Sequence, residues 1–344
     1  MKLAIEIGAF RHDNLKLMTE WVQHAERLGV DKAFSAEAWW SDSLTPLAFL
    51  ADKTHTIKLA TGILQTTARV PAMAAMSALT LHDLTGGRFI LGLGASGPQV
   101  VEGLHGVPYA RPLTRLRETV EICRMIFRGE KVRYDGKIHQ LPLPDSEGKA
   151  IRIAHEPVDI PIYLATLGPN SLKYTGAAAN GWLGTSFSPN HPGAHLDHLR
   201  AGAHDAGRTL MDLDLCVSVR VEIGDDVDDM IARRRKGVAF NMGGMGSEET
   251  NFYNDAFKRA GYEEDAKAIQ ALWIAGRRDE AAARVPDAMI TEFQALGTAE
   301  MVKERLALYR DVGVTTIKLG LDAVEMGPKR FELLEQIADI AGDL

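Results

Sequence analysis

The chain has 344 residues, 46% of them hydrophobic and 25% charged, with a formal net charge of −7. That length suits one large α/β domain, and the acidic balance excludes a general nucleic-acid binder, which needs a basic stripe. No run of about 18 apolar residues is present to span a membrane, and Cys123 and Cys216, far apart in apolar surroundings, read as reduced core thiols of a cytoplasmic protein.

Residues 1–6 enter a strand pattern at once, without the apolar region of a signal peptide. From there short β-branched runs alternate with helical stretches, the pattern of parallel βα units. The first strand is predicted over 3–9, and Leu17, Trp21, Ala25 and Leu28 space the helix after it, closed by Gly29. The second strand covers 32–37. A helix from about Thr45 leads to the third, 57–64; the next helix starts near Pro71 and ends at Gly86-Gly87. The fourth strand is 89–94. Gly and Pro crowd 95–110, a helix follows over about 111–128, and 132–139 reads as a hairpin with a type I′ Asp135-Gly136 turn. Residues 160–165, 182–187 and 213–221 supply strands five to seven. A long helical excursion follows, in which Gly243–Ser247, with Asn251, Phe252 and Tyr253 after it, is a candidate lid. The eighth strand is 315–321. Eight units imply a (β/α)8 TIM barrel, a single domain over 1–344 with insertions at about 95–158 and 240–298.

In that fold the chemistry sits at the C-terminal strand ends. Glu6 shares a strand face with Ala4 and Gly8, where a carboxylate is costly unless paired or used. Ser35-Ala36-Glu37-Ala38-Trp39-Trp40 brings a serine, a carboxylate and two indoles to one strand end, walls and an acid for a flat ligand. Gly62 suggests a bulge or close approach of backbone to ligand. Gly92-Leu93-Gly94-Ala95-Ser96-Gly97 matches G-x-G-x-x-G by letter, but the expected absence of a helix opening in that turn argues against a dinucleotide fingerprint. Thr166-Leu167-Gly168-Pro169-Asn170-Ser171 precedes a helix, a seat for phosphate, although Asn170 or Ser171 could equally cap that helix. His191, His195 and His198 have ligand-like spacing, yet Pro192-Gly193 sets His191 outside the helix, so no metal is expected. Arg233-Arg234-Arg235-Lys236, after Asp225, Asp226, Asp228 and Asp229, reads as a solvated helix with charges matched to its dipole.

Leu84-Thr85-Gly86-Gly87-Arg88-Phe89-Ile90-Leu91-Gly92-Leu93-Gly94 resembles the signature of the luciferase-like monooxygenase superfamily. With Ile160-Pro161-Ile162-Tyr163-Leu164, Gly168-Pro169-Asn170 and Ser96–Gly103, the chain is similar to the branch that uses the 5-deazaflavin coenzyme F420 and includes methylene-tetrahydromethanopterin reductase. The resemblance implies a homodimer, a coenzyme across the barrel mouth, and a non-proline cis peptide at Gly62-Ile63 behind the ring. It implies coenzyme contacts at Ser35, Trp39, Gly62, Ile63, Gly94, Ser96, Gly97, Thr166, Leu167, Gly168, Pro169, Asn170 and Thr185, with the phosphate at Gly168-Pro169-Asn170. Glu37 or Glu6 would handle a proton, and Trp39 and Phe187 would frame the pocket. The branch's sugar-phosphate dehydrogenase has a histidine where Ala38 stands and a carboxylate near Gly97, which argues against that substrate. The methylene reductases match Glu6, with Glu37 in place of an aspartate. The implied reaction is hydride transfer between the deazaflavin C5 and an enone, imine or pterin-like small molecule, with no nucleic-acid or membrane partner. An FMN-dependent monooxygenase is the alternative, since both coenzymes share the ring and ribityl phosphate; a non-catalytic coenzyme-binding barrel is the other.

Overall fold

A computed structural model describes residues 1–246 and 250–344. Eight main strands occur in chain order: β1 (Lys2–Ile7), β2 (Lys32–Ser35), β3 (Lys58–Thr61), β4 (Phe89–Gly94), β5 (Ile162–Ala165), β6 (Gly181–Gly184), β7 (Asp214–Ile223) and β8 (Thr316–Gly320). The sheet runs in that order, β8 lies between β7 and β1, and β6 also pairs with β7, so the strands form the closed ring of a (β/α)8 barrel. Strand four falls where the sequence predicts it. The third is shorter than 57–64 because the chain turns at Gly62-Ile63 and pairs again at Leu64–Gln65. Packing divides the chain into two units, Glu6–Ala165 and Met1–Ile5 with Thr166–Leu344.

In the first unit β2, β3, β4 and β5 are parallel neighbours, registered at Ser35 with Thr61, Leu59 with Phe89, and Gly94 with Ala165. Arg88 of the signature, just before β4, grips the segment leading into β3, donating to the carbonyls of Ala51 (3.1 Å), Thr54 (2.8 Å) and Ile57 (2.6 Å). Between β4 and β5 a one-turn helix, Pro98–Val101, begins directly after Gly97. The sequence reading expected no helix there; four residues nevertheless make no dinucleotide-binding helix, and the strands around it belong to a barrel. Helix Pro112–Phe127 follows, then an antiparallel pair, Tyr134–Asp135 with Gln140–Leu141. The expected two-residue turn at Asp135-Gly136 is instead a wider turn over 136–139. Its cause is Glu118: this buried carboxylate accepts the amides of Lys137 (2.7 Å), Ile138 (3.0 Å) and His139 (2.8 Å), opening the loop around itself.

In the second unit β6, β7, β8 and β1 are parallel, with Leu183 beside Cys216, Cys216 beside Thr316, and Ala4 beside Lys318. Helices Pro169–Ala178 and Gly193–Asp205 cross at Gly176 and Gly202, where an added β-carbon would run into the backbone of Leu199 and of Lys173 respectively. After β7, helix Val227–Gly243 is capped by Asp226, which accepts the Asp229 amide at 3.0 Å. The basic cluster is not wholly a solvated face. Arg234 is buried and pairs with Glu222 (2.9 Å) and Asp322 (3.3 Å), while Arg233 bridges Glu222 and Asp229, both at 2.7 Å. The excursion carries its own core, including Met242, Phe257, Ile269, Val285 and Phe293, with the Phe257 and Phe293 rings stacked at 4.4 Å. Ser247 of the candidate lid lies outside the described residues. The segment after it is pinned: Asn251 donates to the carbonyls of Asn241 (3.0 Å) and Met242 (2.8 Å) and accepts from the Tyr253 and Asn254 amides. Asn251 is buried, whereas Phe252 beside it is exposed. Both cysteines are free and buried, and burial pushes the Cys123 thiol up to about 12. Among the described residues no helix is long and apolar enough to cross a membrane.

Candidate active site

In the first unit the ends of β2, β3 and β4 converge. The Gly62-Ile63 peptide is cis, as the resemblance implies. The Gly62 amide donates to the Ser35 carbonyl at 2.7 Å, and Ser35 itself is buried. Gly62 is required by Phe34: an added β-carbon would lie 2.8 Å from Phe34 Cδ1. The close approach inferred from this glycine is therefore to a core ring. The half-buried Ile63 packs on Gly94, whose lack of a side chain admits its δ-methyl. Ile63 thus backs a surface at the strand ends with an apolar side chain.

Glu37 is half-buried and fully engaged. One carboxylate oxygen accepts the Gln65 amide at 2.9 Å and the other accepts Arg69 Nη1; Gln65 Nε2 donates to the Glu37 carbonyl at 3.0 Å, and the Glu37 amide donates to the Ile63 carbonyl at 3.1 Å. Held by a guanidinium and an amide, this carboxylate fastens the 63–65 segment to the end of β2. Arg69 stands 4.0 Å from Asp42, which accepts the Leu44 and Thr45 amides. Sequence reasoning missed Arg69, because it lies 32 residues past Glu37 on another loop. Beside this clamp, Gln65 Oε1 and Thr66 Oγ1 are buried with no partner among the described residues.

The remaining first-unit candidates are more open. Trp39 and Trp40 are exposed and meet edge to face at 5.2 Å, so neither packs under a loop. Glu6 is exposed, which removes the burial cost that singled it out. Ser96 has a left-handed backbone, and its carbonyl accepts the Tyr109 hydroxyl at 2.9 Å; burial pushes that phenol up to about 12. Gly97 caps the short helix after it.

The second unit holds the turn after β5. Thr166 is buried, its hydroxyl 2.7 Å from that of Thr175 and its carbonyl accepting Trp182 Nε1 at 2.9 Å. Gly168 is the N-cap of helix Pro169–Ala178, and no side chain caps it. Ser171 instead donates to the Gly168 carbonyl at 2.9 Å, and Asn170 is exposed, so neither residue takes the capping role allowed by sequence. The Leu167 carbonyl accepts Arg259 Nη2 at 2.7 Å, a contact no motif announced. Thr185 is half-buried just beyond β6. Phe187 does not frame an opening: it is buried against Trp182, His195 and Tyr309. Of the three histidines, His195 is a core residue, which burial, with Arg259 and His198 nearby, pushes down to about 3. His191 pairs with Glu292 at 3.0 Å, and Glu292 also accepts the Tyr262 hydroxyl at 2.6 Å.

Against known proteins, the luciferase-like monooxygenase family model matches residues 4–316. A putative coenzyme F420-dependent oxidoreductase of Mycobacterium tuberculosis is 37% identical, over 94% of this chain and 96% of that one. The 5,10-methylenetetrahydromethanopterin reductase of Archaeoglobus fulgidus is 29% identical over 87% and 88%. The solved F420-dependent tetrahydromethanopterin reductase of Methanopyrus kandleri superposes with a TM-score of 0.77 at 25% identity, covering 98% of this chain and 97% of that one.

Proposed function

Because the chain belongs to the luciferase-like monooxygenase family, we propose that it is a coenzyme F420-dependent oxidoreductase acting on an electrophilic carbon of a small enone, imine or pterin-like molecule. The reading is carried by the 37% identity to the mycobacterial F420-dependent relative, which extends across 94% of the chain. The residues present fit such a group. Ile63 offers an apolar support, and the buried, unpartnered Gln65 Oε1 and Thr66 Oγ1 are polar atoms that a heteroaromatic edge can satisfy. On the second unit, the uncapped turn at Gly168-Pro169-Asn170 presents amides suited to a phosphate.

When bound, the deazaflavin supplies a two-electron hydride donor or acceptor at C5. Glu37 and Arg69 hold the Ile63–Gln65 segment in place. Trp39, exposed at the end of β2, is a flat wall for the ring or substrate. Glu6, exposed on β1, is the other carboxylate that would handle a proton. The same reading treats 1–344 as one domain with insertions and the working state as a homodimer, which light scattering measures. The test is to titrate the protein separately with oxidised F420 and with FMN while following ring fluorescence. Tight binding of F420 with little response to FMN supports the proposal and opens a screen of enone, imine and pterin acceptors. The reverse preference moves the protein to the FMN monooxygenases.

A further inference from the structure

Resting on that coenzyme reading, we infer that Arg259 is a positioning residue for the coenzyme's phosphate, acting through the Leu167–Gly168 peptide. Arg259 comes from the excursion, 92 residues beyond Leu167, and its Nη2 donates to the Leu167 carbonyl at 2.7 Å. Its Nε reaches the Ala194 carbonyl at 3.4 Å, so the guanidinium ties the turn after β5 to the first turn of helix Gly193–Asp205. The peptide is trans, hence its carbonyl and the Gly168 N–H point opposite ways. Pinning the carbonyl from one side therefore fixes the Gly168 amide on the other.

That amide does not act alone. Those of Asn170 and Ser171 open helix Pro169–Ala178, and no acceptor among the described residues takes any of the three. Ser171, which could have capped the helix, turns its hydroxyl to the Gly168 carbonyl instead. The cation behind the turn is half-buried, and among the described residues it makes no ion pair. Burial lowers the Arg259 pKa, with Asp255 opposing. A partly desolvated cation behind three open amides favours an anion at the turn.

A purely structural tie would hold the excursion to the loop and be indifferent to phosphate. The experiment separates these roles by comparing ligands with and without that group. Wild type, Arg259→Gln and Arg259→Lys are titrated by ring fluorescence with F420 against the 5-deazaflavin bearing only a ribityl chain, and with FMN against riboflavin. In the pair that wild type binds, Arg259→Gln is expected to weaken the phosphate-bearing member about tenfold or more and the phosphate-free member less than about twofold. Arg259→Lys, which keeps the charge and loses the fork, falls between and carries the test if the Gln variant folds poorly. Equal losses for both members, or no loss for either, overturn the inference and leave the coenzyme reading standing. A wild type that binds neither pair overturns both.

Discussion

Gly94→Ala tests the packing of Ile63 at the end of β4. The new methyl would fall inside van der Waals distance of Ile63 Cδ1 yet stay 3.4 Å from Cγ1 and Cγ2. One atom accounts for the clash, and Ile63→Val removes that atom. Overfilling costs about 1–3 kcal/mol. Ile63→Val alone, at a half-buried site, costs about 0.5 kcal/mol. If the two were independent, the double variant would lose their sum. The geometry predicts instead that Ile63→Val recovers about 1 kcal/mol or more of the Gly94→Ala loss. Guanidinium unfolding of the four proteins gives the coupling, and F420 titration shows whether the displaced δ-methyl of the single variant also weakens ring binding. Additive losses within about 0.3 kcal/mol would refute the packing argument.

Glu37→Gln weakens a part-buried ion pair and should lower stability by about 1–2 kcal/mol, with weaker coenzyme binding; unchanged turnover and affinity would show that the clamp is dispensable. Glu118→Ala strips three amides of their acceptor at once. Its expected loss is about 2–4 kcal/mol, with hydrogen-exchange protection falling at 137–139 while β4 keeps its own, and retained protection would contradict the account of the turn. His195 is held neutral by burial, its pKa depressed from 6.5 to about 3. The unfolded chain takes up this proton first, so native stability falls as pH drops from about 6.5 towards 3, by on the order of 4 kcal/mol. His195→Leu should flatten that part of the stability-against-pH curve, and a curve of unchanged slope would show that another group titrates there.

The barrel was legible because its strands are short β-branched runs separated by helical spacing, and that periodicity is local. The turn at 136–139 was not, because the carboxylate that shapes it sits on a preceding helix. The cis peptide was reached through family resemblance; nothing in Gly62-Ile63 as a pair of letters announces it. Glu37 was legible as a strand-end carboxylate, but its role changes once Arg69 is seen to hold it. Arg234 was misread for a related reason: its partners, Glu222 on β7 and Asp322 in the turn after β8, lie off its own helix, and charge spacing along one helix does not reveal them. Long-range polar pairing is what a single sequence hides.

The crossing of Gly176 and Gly202 constrains how this protein could be diversified. Two backbones meet there with no side chain between them, so substitution at either position must displace a whole helix. A library aimed at new substrates would spend its variants poorly on helix Pro169–Ala178, whose shift would carry the turn before it out of place. The segment 95–110 has no such crossing of long helices and offers surface-exposed positions such as Leu104. Selection for altered specificity should accumulate changes there and leave both glycines untouched.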